Sequence, residues 1–191
     1  MAATGQTKKA IQIAFMELLE EHPLGKIKVR DITDSCGINR NTFYYHYQDI
    51  PALLEEICAQ ETERIVGEYP TIHSLEECLE ASMKFGLEHK RAVMNIYRSD
   101  NRSTYVQSVW RMCEGAVTTY INTVCKNIRI SETDKMLIIR YTKCEIFGVV
   151  IDWISTGMKE EYLQGMRRIF QLMRGSTEEM IRRSQMTSGW E

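Results

Sequence analysis

The chain has 191 residues, with 24 Lys and Arg against 26 Asp and Glu, for a formal net charge of −2. At 43% hydrophobic and 26% charged residues it is too apolar to be wholly disordered, and it carries no bulk basic excess. Three prolines and 11 glycines leave little for linkers or a loop-rich all-β fold, so an all-α chain is expected, with one domain or a small one joined to a larger one.

Long apolar stretches such as residues 147–154 are broken by Gly148 and Asp152, short of the ~18 residues a membrane span needs. Residues 1–12 hold no signal-peptide core, so a cytoplasmic protein with no membrane association is expected. The six cysteines (36, 58, 78, 113, 125 and 144) are widely spaced, with no Cys-x-x-Cys pair. Five lie among apolar helical neighbours and read as small buried hydrophobes; no metal site and no cofactor are expected.

In chain order, residues 7–21 form the first helix, with Ile11, Phe15, Leu18 and Leu19 on one stripe. His22-Pro23-Leu24-Gly25 stops it. Residues 29–36 form a second, short helix ended by Gly37. Asn39 is a suitable N-cap for a third, to about His46. Asp49 caps a fourth, residues 50–68, which tolerates Pro51 in its first turn. Ser74-Leu75-Glu76-Glu77 reads as a capping box opening a helix that continues to the polar break at 99–103. Long helices follow over 104–127 and 131–155. Thr156-Gly157 turns the chain into a helix ending near Gly175, and Ser176 caps a short terminal one. About nine helices result. The expected organisation is a three-helix module at 1–48 joined to a larger helical bundle at 49–191.

Residues 29–47 carry the functional signal. Val29, Ile32, Cys36, Ile38, Phe43 and Tyr47 can face inward and fix the angle between two short helices about a glycine turn, which is a helix-turn-helix pattern. Arg30, Asn39, Arg40, Asn41, Thr42, Tyr44, Tyr45 and His46 can face outward. Arg40 suits guanine or phosphate, Asn41 and Thr42 suit base edges, and the tyrosines and His46 suit phosphate oxygens and sugars. Against this, three aromatics on a short helix also suit a core or a protein interface. Residues 1–50 hold six basic and six acidic side chains, so positive charge is local: Lys8, Lys9, Lys26, Lys28 and Arg40.

The order of residues adds more. Ala14-Phe15, Val29-Arg30-Asp31-Ile32, Cys36-Gly37-Ile38, the run Asn39 to Tyr47 and then Leu53-Leu54 together resemble the N-terminal domain of the TetR family of transcriptional regulators. The most specific part is Thr-Phe-Tyr-Tyr-His-Tyr at 42–47, where that family has Thr-Leu-Tyr-x-His-Phe. Two positions depart from its pattern. Thr33 stands where the family often has Ala, and Ile50 where it often has a phosphate-binding Lys that Gln48 or Lys28 could partly replace. The resemblance implies DNA contacts from Lys28, Arg30, Asn39, Arg40, Asn41, Thr42, Tyr44, Tyr45 and His46. It also implies a double-stranded palindromic operator and a dimer whose recognition helices lie roughly 34–36 Å apart.

In the larger part, Leu137, Tyr141, Cys144, Gly148, Ile151 and Ser155 recur at helical spacing, as do Tyr162, Met166, Ile169, Phe170 and Met173. These stripes, on helices at about 131–155 and 159–174, suit a homodimer interface of four helices. An effector pocket is expected among the middle helices, with Tyr97, Tyr105, Trp110, Glu114 and Phe147 as candidate lining; Tyr120, Lys143 and Glu145 are further possibilities. Such residues also occur as plain core. The reading is a regulator, expected to repress and to be modulated by an unidentified small-molecule or protein effector. The alternative is a helical adaptor, or a regulator controlled by a protein partner. An enzyme is not expected: the chain has no Gly-rich phosphate loop, no Gly-x-Ser-x-Gly and no His-Glu-x-x-His.

Overall fold

The computed structural model describes residues 2–68 and 75–187, and these contain ten α-helices and no strand. The chain divides into two compact units. One comprises Met1–Glu61 with Gly86–Ser108, the other Thr62–Phe85 with Val109–Glu191. Among the described residues no helix is long and apolar enough to cross a membrane.

The first unit is built on α1 (Ala2–Glu21), α2 (Val29–Cys36), α3 (Arg40–His46), the start of α4 (Ile50–Glu68) and α6 (Lys90–Tyr97). The α1 stripe is the centre of its core: Ile11, Phe15 and Leu19 are fully buried. Ile32 of α2, Phe43 and Tyr47 of α3 and its C-cap, Leu53 and Leu54 of α4, and Ala92 and Ile96 of α6 pack around it. Seven residues are too few for α3 to stand alone in water, so packing must hold it. Burying Phe43 contributes about 1.5–3 kcal/mol, more than the roughly 1 kcal/mol expected of its cap.

The helix expected to run from 74 to 98 is two helices, α5 (Leu75–Glu88) and α6, divided at His89 with φ −111° and ψ 29°. No glycine or proline stands at the break. The cause is packing: α6 lies against α1, and Asn95 Nδ2 donates to the Leu19 carbonyl at 2.7 Å, satisfying an end-of-helix acceptor. The Ser74 end of the expected capping box lies outside the described residues.

The second unit holds most of α5, α7 (Arg102–Val124) from Val109 onward, α8 (Glu132–Ser155), α9 (Glu160–Met173) and α10 (Ser176–Thr187). Its core joins Cys78, Val117, Tyr120, Ile121, Cys125, Ile138 and Ile181. Ser131 caps α8, its hydroxyl accepting from Asp134 N–H at 3.0 Å. Between α8 and α9 two successive residues have positive φ, Gly157 at 90° and Met158 at 52°. Met158 tolerates this because it is pinned: its side chain is buried, its N–H donates to the Trp153 carbonyl at 2.9 Å, and Trp153 Nε1 donates to Lys159 O at 3.1 Å.

By contrast, α9 buries none of its residues fully. Ile169, Leu172 and Met173 on α9 and Met136, Leu137 and Tyr141 on α8 are exposed large hydrophobics. Most of the α8 stripe read from the sequence is also exposed, at Leu137, Tyr141, Cys144, Gly148 and Ser155.

Candidate nucleic-acid interface

Residues 28–47 form the helix-turn-helix at the expected boundaries. The Lys28 N–H donates to Asp31 Oδ2 at 2.8 Å and opens α2. Gly37 closes it in the left-handed region at φ 68°, and Ile38 N–H returns to the Thr33 carbonyl at 3.0 Å. A side chain at Gly37 would meet a strained backbone, so glycine belongs at this turn. Thr33 fits its buried place by donating its hydroxyl to the Arg30 carbonyl at 3.0 Å. Asn39 Oδ1 accepts from Thr42 N–H at 2.8 Å and from the Thr42 hydroxyl at 3.1 Å, so only the Asn39 amide nitrogen is left to face outward.

With Phe43 and Tyr47 buried, helical periodicity turns the other side of α3 to solvent. Asn39, Arg40, Asn41, Tyr44 and Tyr45 are exposed, Tyr45 at 78%, while Thr42 and His46 are half-buried. The Tyr45 and His46 rings meet edge to face at 5.1 Å. Lys9, Lys26, Lys28 and Arg40 are exposed and make no ion pair with a described residue. Two other cations are engaged: Lys8 Nζ is 2.8 Å from Glu56, and Arg30 Nε is 3.3 Å from Asp34. Ile50 packs against the core beside α4's start, which accounts for an apolar residue there.

A polar cluster that the sequence reading missed secures the far end of α3. Gln12 Nε2 of α1 lies 3.1 Å from the Tyr47 hydroxyl, 3.3 Å from Glu56 and 3.0 Å from Gln60. Lys8 Nζ sits 5.6 Å above the Tyr47 ring. Burial, then the charge of Glu56, pushes the Tyr47 phenol up to about 12. Partners more than 30 residues apart leave no local pattern, so no spacing rule could have found them.

The five residues expected to line an effector pocket are divided between the units. In the first, Tyr97 is buried, with the Arg102 guanidinium 4.0 Å over its ring and bonded to its hydroxyl. Burial, then Cys58, raises the Tyr105 phenol above its ordinary value. In the second unit, Trp110, Glu114 and Phe147 gather around Lys143. Its Nζ lies 3.0 Å from Glu114 and 4.1 Å from the Trp110 ring, and Phe147 meets that ring edge-on at 4.9 Å. Lys143 is thereby committed, although it adjoins the exposed Cys144. None of the five lines the sizeable cavity of the second unit, about 620 Å³ among α5, α7, α8, α9 and α10. Tyr120 and Glu145 do line it.

Residues 14–57 match the family described as "Bacterial regulatory proteins, tetR family", and residues 73–175 match "Transcriptional regulator C-terminal region". The second match spans more than half of the chain, which belongs to the TetR family of transcriptional regulators and is a DNA-binding regulator. No curated protein matches it. Solved structures that share the fold include the following three. The dihydroxyacetone kinase operon activator DhaS is 21% identical, with 90% of this chain and 96% of that chain covered and a TM-score of 0.72. GusR of Salmonella enterica is 15% identical, with 86% and 93% covered and a TM-score of 0.57. NalD of Pseudomonas aeruginosa, the secondary repressor of the MexAB-OprM multidrug efflux pump, is 17% identical, with 91% and 96% covered and a TM-score of 0.57.

Proposed function

We propose that this chain is a homodimeric repressor that reads a palindromic operator with α3 and is modulated by an effector. The observation that carries the reading is the outer face of α3. Arg40, Asn41, Tyr44 and Tyr45 are exposed together, with Asn39 and Thr42 at the helix's N-terminal end and His46 at its other end. Donors, acceptors and aromatic rings are thus presented on one side of a helix whose opposite side is locked into the core. In this reading Arg40, Asn41 and the Asn39 amide address base edges, while Thr42, Tyr44, Tyr45 and His46 address phosphates and sugars. Lys28 lies before α2 and supplies backbone charge; Arg30 does so once released from Asp34.

Dimerisation is supported by the exposed apolar side chains of α8 and α9, which one subunit leaves in water. The working division is a DNA module at 1–48 and an effector and dimerisation region at 49–191. Repression is the sign proposed because occupying an operator needs nothing beyond the recognition helices. NalD is titled a repressor and DhaS an activator, and fusing the operator to a reporter decides the sign here.

The test is selection of bound duplexes from a random DNA pool by the full chain, first at moderate and then at low salt. A palindrome is expected. The Tyr44→Ala plus His46→Ala variant should lose it while keeping wild-type helicity and sedimentation. Normal binding by that variant overturns the site assignment. No enrichment at either salt overturns autonomous operator binding and favours control by a protein partner.

A further inference from the structure

Tyr47 closes α3, and its side chain does two things. Its ring is buried with Phe43 in the core of the first unit, and its hydroxyl ends in a polar cluster drawn from α1 and α4. The family pattern has Phe at this place, and a Phe ring fills the same space. The hydroxyl is therefore not needed for packing, and a hydroxyl taken out of water is destabilising unless it is paired. Here it is paired. Gln12 Nε2 of α1 donates to it at 3.1 Å, and the Glu56 carboxylate stands beside it, its charge helping to keep the phenol neutral.

Gln12 is itself held from α4. Glu56 Oε1 accepts from Lys8 Nζ at 2.8 Å, from Gln12 Nε2 at 3.3 Å and from Gln60 Nε2 at 2.7 Å. Gln60 Oε1, one helical turn further on, accepts from Gln12 Nε2 at 3.0 Å. All five residues belong to the first unit. The Gln12 amide nitrogen thus faces three acceptors, on the end of α3 and on α4, with two hydrogens to share among them. Apolar contacts decide where α3 lies, but they are not directional. Hydrogen bonds are directional and fix an angle. Among the described residues, the other side-chain hydrogen bonds of residues 39–47 join Asn39 to Thr42 and stay within α3 and its cap. The Tyr47 hydroxyl is where a directional side-chain bond ties this helix to its neighbours.

We infer that Gln12 is a positioning residue for operator reading: held by Glu56 and Gln60 of α4, it fixes the Tyr47 hydroxyl and so the angle at which the outer face of α3 meets the bases. This inference rests on the proposed reading of DNA by α3. Tyr44, Tyr45 and His46 stand one to three residues before Tyr47, so a rock of that end of the helix carries them with it. Contacts to base edges and phosphates need donor and acceptor within about 2.7–3.2 Å, and groups of this kind work only when their support holds them to about 0.5 Å. Lys8 serves the same end, its ammonium holding Glu56 and lying over the Tyr47 ring. Sequence-independent binding depends on charge near the phosphates rather than on this angle, so it is spared when the bond is lost.

The test compares full-length wild type, Tyr47→Phe and Gln12→Met on the selected palindrome and on an unrelated duplex of the same length. Fluorescence anisotropy is read at a temperature where circular dichroism shows all three to be folded. Tyr47→Phe keeps the ring, and Gln12→Met keeps the length of the side chain without its donor. Each should lower the ratio of the two affinities by at least about fivefold, the low end for one good base contact. Affinity for the unrelated duplex and its salt slope should stay as in wild type. A role in stability alone would lower the melting temperature and leave the ratio unchanged. Combining the two changes should lose no more than the larger single loss, because both remove the same bond, whereas Tyr47→Phe with Lys28→Gln should multiply. A wild-type ratio in either single variant, or losses that multiply when the two are combined, overturns the inference. The Tyr44→Ala plus His46→Ala variant separates this failure from that of the reading beneath it. If that variant loses the palindrome while Tyr47→Phe and Gln12→Met keep the wild-type ratio, only the positioning role is refuted. If it binds the palindrome normally, or if no palindrome is selected, the reading of DNA by α3 is refuted and the positioning role with it.

Discussion

Replacing Asn39 by Asp or by Ala separates two duties that the wild-type side chain combines. Its Oδ1 caps α3 through Thr42, and its amide nitrogen is left to face outward, where the proposed function has it address DNA. Asn39→Ala leaves the Thr42 N–H without its partner and should cost about 1 kcal/mol, within the usual ~0.5–2 kcal/mol for a lost cap. For a chain of this length that lowers the melting temperature by roughly 2–4 °C. Asn39→Asp keeps the acceptor and places a negative charge at a helix N-terminus, worth about 0.3–1 kcal/mol. Its stability should equal or exceed wild type. Operator affinity should order differently. Losing a good base contact costs about 1–3 kcal/mol, and the Asp variant also sets a carboxylate against phosphates, so Asp should bind more weakly than Ala. Urea unfolding at fixed protein concentration and fluorescence anisotropy on the selected operator give the two orders. If both variants lose stability equally, the cap assignment fails. If Asn39→Asp binds DNA like wild type, Asn39 is not at the interface.

Three further outcomes are expected. Lys28→Gln should reduce the slope of log affinity against log salt by about 0.9 per half-site, or about 2 for a dimer on a palindrome; an unchanged slope removes Lys28 from the phosphate contacts. Leu137→Glu, on the exposed α8 stripe, should shift the protein from dimer to monomer in sedimentation velocity without loss of helicity, and an unchanged dimer would place the interface elsewhere. The Tyr47 phenol, raised from 10 to about 12, stays neutral in the folded protein while its unfolded counterpart ionises. The stability it contributes is therefore complete below pH 10 and lost as pH rises from 10 towards 12. Between pH 9 and 11 the urea midpoint should fall further for wild type than for Tyr47→Phe; Tyr162, also raised to about 12, is common to both proteins and cancels in the comparison.

The legible parts of this chain are those that local chemistry decides. Gly37 and Asn39 end one helix and start the next within three residues, so the helix-turn-helix could be bounded without knowing its surroundings. Ser131 did the same for α8, and strict spacing revealed the stripe at Leu137, Tyr141, Cys144 and Gly148. The break at His89 was hidden because its cause is α1, some 70 residues earlier, drawing α6 onto Leu19. The Gln12–Tyr47–Glu56 cluster was hidden for the same reason. The cavity was harder still. Its wall takes one to a few side chains from each of five helices, and the glutamates involved look like ordinary solvent-facing residues on each helix alone. Trp110 and Phe147 drew attention as large aromatics, yet Lys143 and Glu114 already occupy them.

The anchoring of α3 has a bearing on how such a regulator changes over generations. Phe43 and Tyr47 attach the helix, and Asn39 starts it, whereas the Arg40 and Asn41 side chains are exposed and make no hydrogen bond or ion pair with a described residue. Exchanges at exposed positions of that kind shift stability by no more than about 0.5 kcal/mol. Under the proposed function, the base-reading positions Arg40 and Asn41 can therefore be exchanged with almost no penalty to folding. A duplicated copy is free to acquire a new operator while its scaffold stays under unchanged selection, and an engineer can graft a foreign outer face onto the same inner one.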